Sequence, residues 1–208
     1  MTLKAWYFAP ENGAAVILLH GAGGSRESVR AYARMLAGHG YGVLALDQRG
    51  HGESGGRTNR LGWMGSRDVA AAVDFLKQQA GVSRIGGLGI SMGGEVLLGA
   101  VGDYPQLKAV ATDGATRRCL EELPSLPSER PLARNFTARI MFTAVRLLSG
   151  EQPPEPMLGS MQAAGDARFL WIAAGNNDLE VDFNRLFAET VGGRGELWIA
   201  PGVEHTGA

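Results

Sequence analysis

Apolar residues in this chain fall into short unbroken runs, separated by longer segments in which they recur every three or four positions. The runs are Leu3–Ala9, Ala14–Leu19, Tyr41–Leu46, Arg84–Ile90, Leu107–Thr112, Phe169–Ala174 and Glu196–Ala200. Each has the length of a strand. Ala14 to Leu19 shows no alternation, as expected of a strand buried on both faces in a parallel sheet covered by helices. Leu3 to Ala9 stops at Pro10, which suits a sheet edge. Between the runs the apolar period changes to that of a helix. Val29, Tyr32, Ala33 and Leu36 share one face after a plausible N-cap at Ser25, and Val69, Ala72, Val73 and Leu76 share one after Ser66. Met92 to Val101 reads as a third helix, and Leu179, Phe183, Leu186, Phe187 and Thr190 mark another. The alternation predicts an α/β fold: a mostly parallel sheet of about seven strands, helices on both faces and right-handed crossovers.

One stretch departs from the alternation. Ala115 to Asp166 holds Pro124, Pro127, Pro131, Pro153, Pro154 and Pro156, six of the nine prolines. It also holds one amphipathic segment, with Phe136, Ile140, Ala144, Leu147 and Leu148 on one side. Its apolar content needs a surface to pack on, so it is expected to be a helical, proline-rich insertion (115–166) over the sheet's edge, within a single domain spanning 1–208.

Composition narrows the function. Twenty basic residues against 21 acids give a net charge of -1, which argues against a nucleic-acid partner. The lone Cys119 excludes an internal disulfide and a cysteine-rich metal site, and no other metal-ligand spacing occurs. No apolar run reaches the ~18–20 residues of a membrane span. Met1 to Trp6 lacks the layout of a signal peptide, so a cytoplasmic location is expected.

Gly89-Ile90-Ser91-Met92-Gly93-Gly94 closes the fourth run and opens a helix. A serine turning from strand to helix, with glycine two before and two after, is the context that the Gly-x-Ser-x-Gly pattern requires, because side chains at the glycine positions would strike the flanking elements. A nucleophilic serine needs a base, a group to orient that base, and donors for the oxyanion. In parallel α/β sheets such groups collect beyond the carboxyl ends of strands. Asp178 follows the sixth run through Gly175-Asn176-Asn177, and His205 follows the seventh through Pro201-Gly202-Val203-Glu204. Ser91, Asp178 and His205 are therefore the candidate nucleophile, acid and base. Glu180 and Asp182 are rival acids, with Asp178 favoured for lying closer to the strand end. The oxyanion donors are expected at the amides of Met92 and Ala22, with Gly23 next to it, in the glycine-rich bend after the second run.

His20-Gly21-Ala22-Gly23-Gly24, Asp47-x-Arg49-Gly50-x-Gly52-x-Ser54, Gly89-x-Ser91-x-Gly93-Gly94, Gly175-x-x-Asp178 and Gly202-x-x-His205 together resemble the α/β-hydrolase superfamily, and within it the serine esterase and lipase-like members. The resemblance implies a triad of Ser91, Asp178 and His205, an oxyanion hole at Ala22 and Met92, no cofactor, and a cap at Ala115 to Asp166 that selects substrate. The expected reaction is hydrolysis of small to medium carboxylic esters through an acyl-enzyme. The alternatives are a thioester, lactone or peptide hydrolase on the same triad, or a non-catalytic ligand-binding member of the fold. Two departures stand out. The superfamily's sheet usually has eight strands where seven are counted here, and its final helix has no counterpart after His205. A compact or truncated member, or a homodimer whose partner covers the bare surface, would accommodate both.

The remaining polar residues are read as structural. His20 is expected to brace the loop around the site, His39 to be solvated, and His51 with Ser54 to sit in a glycine-rich bend. Trp6, Trp63, Trp171 and Trp198 are expected to be packing residues. Gly21 to Gly24 fits neither phosphate-binding glycine motif.

Overall fold

A computed structural model describes residues 1–57, 61–125 and 132–206. Pro127 and Pro131 of the expected insertion, and Gly207 and Ala208, lie outside the described residues. The strands are β1 (Lys4–Phe8), β2 (Ala14–Leu19), β3 (Gly42–Asp47), β4 (Arg84–Ile90), β5 (Leu107–Asp113), β6 (Arg168–Ala174) and β7 (Gly195–Ala200). They form a seven-stranded sheet in the order β1-β3-β2-β4-β5-β6-β7. Only the β1–β3 pair is antiparallel, with Lys4 opposite Asp47. The other neighbours run parallel. The mostly parallel α/β sheet expected from the apolar runs is the fold the chain adopts, and it aims the carboxyl ends of β2 to β7 at one edge.

The helices are α1 (Arg30–Gly38), α2 (Ser66–Lys77), α3 (Met92–Ala100), α4 (Leu132–Ser149), α5 (Met157–Ala163) and α6 (Asp178–Val191). Ser25 caps a 3-10 turn (Arg26–Val29) ahead of α1 rather than α1 itself. One face of the sheet carries α1, where Val29 and Ala33 join Leu18, Val43 and Ala45. The other carries α2, α3, α5 and α6 around Leu19, Val96, Leu97, Met157, Trp171 and Phe187. Burying a side chain such as Phe187 stabilises the fold by about 1.5–3 kcal/mol. Leu170 and Trp198 are exposed, so Trp198 is not the packing residue expected; Trp63 and Trp171 are buried. Trp6 lies beneath the guanidinium groups of Arg26 and Arg30.

The span between β5 and β6 divides into two parts. α5 enters the main core through Met157 and Met161. The buried carboxylate of Glu122 ties it down, accepting from Met157 N at 2.7 Å and from Arg118 N at 2.7 Å. α4 turns the opposite way from the one its periodicity suggests. Ala138 and Phe142 pack with Trp63 and Leu123, and Val145 lies against this cluster. Phe136, Ile140, Leu147 and Leu148 face outward and are exposed. The helix is apolar on both sides, and the side with the small Ala138 makes the close contact; apolar spacing alone does not choose between two such sides.

Candidate active site

The turn from β4 into α3 is built on backbone sterics. Ser91 sits at φ 49° and ψ -118°, a left-handed conformation that a side-chain-bearing residue adopts only when its surroundings enforce it. A Cβ at Gly89 would run into the backbone of Gly93 and Gly94, and one at Gly93 into the carbonyl of Leu19. The two glycines thus let strand, turn and helix approach closely, which is the reason the motif demands them. Ser91 N donates to the carbonyl of Asp113 at 2.7 Å, tying the turn to the end of β5. Met92 opens α3, where the first amides have no acceptor within the helix.

His205 follows β7 and meets the serine: its Nε2 lies 3.0 Å from Ser91 Oγ. The other ring nitrogen, Nδ1, is hydrogen-bonded to Glu180 Oε1. A carboxylate at Nδ1 accepts the proton there and leaves Nε2 as the acceptor facing the serine hydroxyl. Glu180 is fully buried and also accepts from Ala174 N at 3.0 Å and from Asn177 Nδ2 at 2.8 Å. Burial pushes its carboxyl toward the neutral form, but the bond from His205 and those from Ala174 and Asn177 outweigh it, so the group sits below the ordinary carboxylate range. The hydrogen bond to Glu180 raises His205 above its ordinary value; burial opposes this, and the charges of Glu180, Glu95 and Asp113 add to it.

The carboxylate on the imidazole is therefore Glu180, not the expected Asp178. Both lie in the first turn of α6, after the N-cap Asn177. Residues two apart on a helix point about 200° away from each other, so only one can face the sheet. Asp178 takes the exposed side, and Glu180 lies in line with buried Asn184, Phe187 and Val191. That line is the signal the sequence offered: a glutamate on the inward stripe of an amphipathic helix must have a partner.

The loop after β2 passes beside Ser91. A Cβ at Gly21 would lie 3.5 Å from Ser91 Cβ, and Ala22 follows on the exposed turn. His20 anchors this loop from beneath. Its Nε2 accepts from Gln48 N at 3.1 Å, leaving Nδ1–H to donate to Gly21 O at 2.8 Å. Burial lowers its basicity. His51 lies edge-on to it with centroids 5.0 Å apart. The bend beyond β3 is structural. Asp47 Oδ1 accepts from Arg26 N at 2.7 Å and Oδ2 from Glu53 N at 2.8 Å, while Ser54 Oγ donates to Asp47 O at 2.6 Å. Arg49 forms an ion pair with buried Asp68 at 2.7 Å.

Two further groups beside the site escaped sequence reasoning. Glu95, one turn past Ser91, accepts from Thr116 N at 3.1 Å and Thr116 Oγ1 at 3.0 Å, and burial pushes its carboxyl up to about 7. Asp113, at the end of β5, accepts from Tyr32 Oη at 3.0 Å. No group of three or more metal-ligating side chains occurs among the described residues.

A seven-stranded sheet with a serine, a carboxylate and a histidine beyond the ends of β4, β6 and β7 defines a class, and comparison with known proteins agrees. The chain belongs to the alpha/beta hydrolase fold family, whose model matches residues 14–147. It is 33% identical over 106 residues to the uncharacterized protein YcjY of Escherichia coli, covering 49% of this chain and 35% of that protein. It is 34% identical over 122 residues to the uncharacterized protein PA2218 of Pseudomonas aeruginosa, covering 54% and 33% respectively. The match thus spans about a third of the length of these curated relatives. Among solved structures, the esterase Pf2001 of Pyrococcus furiosus superposes with a TM-score of 0.73 at 26% identity, over 98% of this chain and 78% of that one. Ferulic-acid-bound Est1E of Butyrivibrio proteoclasticus, at 19% identity and a TM-score of 0.71 over 98% and 87% of the two chains, shares the fold. No helix among the described residues is long and apolar enough to cross a membrane.

Proposed function

We propose that the protein is a serine hydrolase of carboxylic esters working through an acyl-enzyme. The observation that carries this is the continuous path from Ser91 Oγ through His205 to the buried Glu180, with 3.0 Å between Oγ and Nε2. Ser91 attacks the ester carbonyl while His205 Nε2 takes its proton. His205 returns the proton to the departing alcohol, then draws one from the water that frees the acid. Glu180 holds the imidazole with Nδ1–H toward itself and stabilises the positive ring formed midway. The amides of Met92 and Ala22 receive the oxyanion, each contributing about 2.7–4 kcal/mol of transition-state stabilisation. The likeness to the Pyrococcus furiosus esterase supports the ester class.

The expected cap, Ala115 to Asp166, is proposed as the cover that selects the acyl group, by its part ahead of α5, since α5 enters the main core. Glu151, just beyond α4, lies with Met92, His51 and Trp63 around a cavity of about 10 Å³, room for no more than a water-sized group. A fluorophosphonate probe tests the nucleophile and a graded series of p-nitrophenyl esters tests the class. Labelling at Ser91, abolished in Ser91→Ala, with turnover highest on short and medium acyl chains is the expected result. Probe-inert protein, or hydrolysis retained by Ser91→Ala, overturns the proposal.

A further inference from the structure

The end of β5 does more than complete the sheet. The backbone carbonyl of Asp113 accepts from Ser91 N at 2.7 Å, and the next residue, Gly114, is the surface on which the imidazole of His205 lies. Gly114 has φ +75°, and a Cβ there would stand 2.9 Å from His205 Cε1 and 3.0 Å from Nδ1. Asp113 and Gly114 therefore touch both ends of the Ser91–His205 contact. The Asp113 side chain is 2% exposed. Its Oδ2 accepts the hydroxyl of Tyr32, from α1 on the opposite side of the sheet from α6, and its Oδ1 has no hydrogen-bond partner among the described residues.

We propose that Tyr32 and Asp113 form a positioning pair for the candidate triad, in which Asp113 serves His205 as a second carboxylate beside Glu180. The proposal rests on the hydrolase assignment of Ser91 and His205 and adds a pair of residues to it. Burying a carboxylate with a single hydrogen bond is costly, and an asparagine would satisfy the Tyr32 hydroxyl equally well. The charge has a use only beside a group that becomes positive, and His205 becomes positive when it takes the serine proton. Glu180 from α6, Glu95 from α3 and Asp113 from β5 all favour the positive form of His205 by their charge. Asp113 in turn is influenced by the hydrogen bond from Tyr32 and by the charges of Glu180 and His205. Burial favours the neutral form of Asp113 and the Tyr32 hydroxyl favours the anion. Removing the hydroxyl therefore moves Asp113 toward neutrality, weakens the negative field at the imidazole and makes His205 easier to deprotonate.

The test is the NMR titration of His205 Cε1–H in the full chain, its signal assigned by loss in His205→Gln. Tyr32→Phe and Asp113→Asn should each lower the midpoint by roughly half a pH unit. The double variant should match Asp113→Asn alone, because Tyr32 acts only through the charge. Asp113→Asn keeps shape and acceptor, so a purely structural role leaves the titration in place. For p-nitrophenyl acetate its kcat should fall roughly tenfold with KM little changed. An unmoved His205 midpoint in both variants overturns the pair. Fluorophosphonate labelling of the parent separates the two levels. Labelled Ser91 with an unmoved His205 refutes the pair and keeps the hydrolase, whereas unlabelled Ser91 with the midpoint lowered in both variants keeps the pair beside His205 and refutes the hydrolase.

Discussion

The two reacting partners of the candidate site are held by different forces. Ser91 is fixed by backbone against backbone: Gly89 against Gly93 and Gly94, Gly93 against Leu19, and the serine's own amide on Asp113. His205 is fixed by side-chain contacts, with Glu180 at one nitrogen, the face of Gly114 against the ring and a side chain 47% exposed. Hard-sphere contacts leave the nucleophile no alternative position. A hydrogen bond and a van der Waals seat hold the base with far less force, so disturbance should reach the base first.

The largest expected effect tests the base. Glu180→Gln should lower kcat by roughly 10²- to 10⁴-fold, because the amide can present the wrong group to Nδ1 and loses the charge that steadies the imidazolium. Asp178→Asn, two residues away, should change kcat less than about twofold. Steady-state kinetics on one ester decides between them, and the reverse ranking would restore Asp178 as the acid.

Paired glycine substitutions sharpen the contrast. Gly89→Ala should cost more than about 3 kcal/mol in chemical denaturation, since the obstruction is backbone that cannot move without opening the sheet. Gly114→Ala meets a movable ring instead, so it should cost about 1–2 kcal/mol while lowering kcat roughly tenfold or more. Equal stability losses would erase the distinction between the two seats.

A pH profile gives a smaller but directional effect. His205 acts as a base only when neutral, and its interactions raise it above 6.5, so the acid limb of kcat/KM should have its midpoint above 6.5. In Glu180→Gln the limb should move to lower pH. The stability linked to His205 is present below 6.5 and is lost as pH rises through its folded value. Glu180 behaves oppositely: its contribution is present above its ordinary value of 4.5 and is lost as pH falls through the lowered one.

The smallest expected effect concerns strain at the nucleophile. Ser91→Gly relieves the left-handed backbone at φ 49° and should raise stability by about 1 kcal/mol while removing activity. Equal stability in Ser91→Gly and Ser91→Ala would mean that the turn stores no strain.

How much of this was legible in the sequence follows the same division. The strands and the elbow were readable because their determinants are local: unbroken apolar runs and glycines at fixed offsets. His205 was readable because a strand end marked it. The carboxylate was misassigned because proximity to the strand end favoured Asp178, whereas helical phase decides which first-turn residue faces the ring. The outward side of α4 was misassigned because both of its sides are apolar. Tyr32 and Asp113 were out of reach, since 81 residues separate them and no spacing joins them.

Ser91 and His205 stand 114 residues apart in the chain. Their contact cannot form until β7 has added to β6 at the edge of the sheet, after the intervening crossovers are closed. Long-range parallel pairing of this kind is slow. Ser91 therefore has no imidazole beside its hydroxyl until that last pairing is made. Under the proposed function, regain of ester hydrolysis during refolding would time the docking of the last strand, not the formation of the elbow.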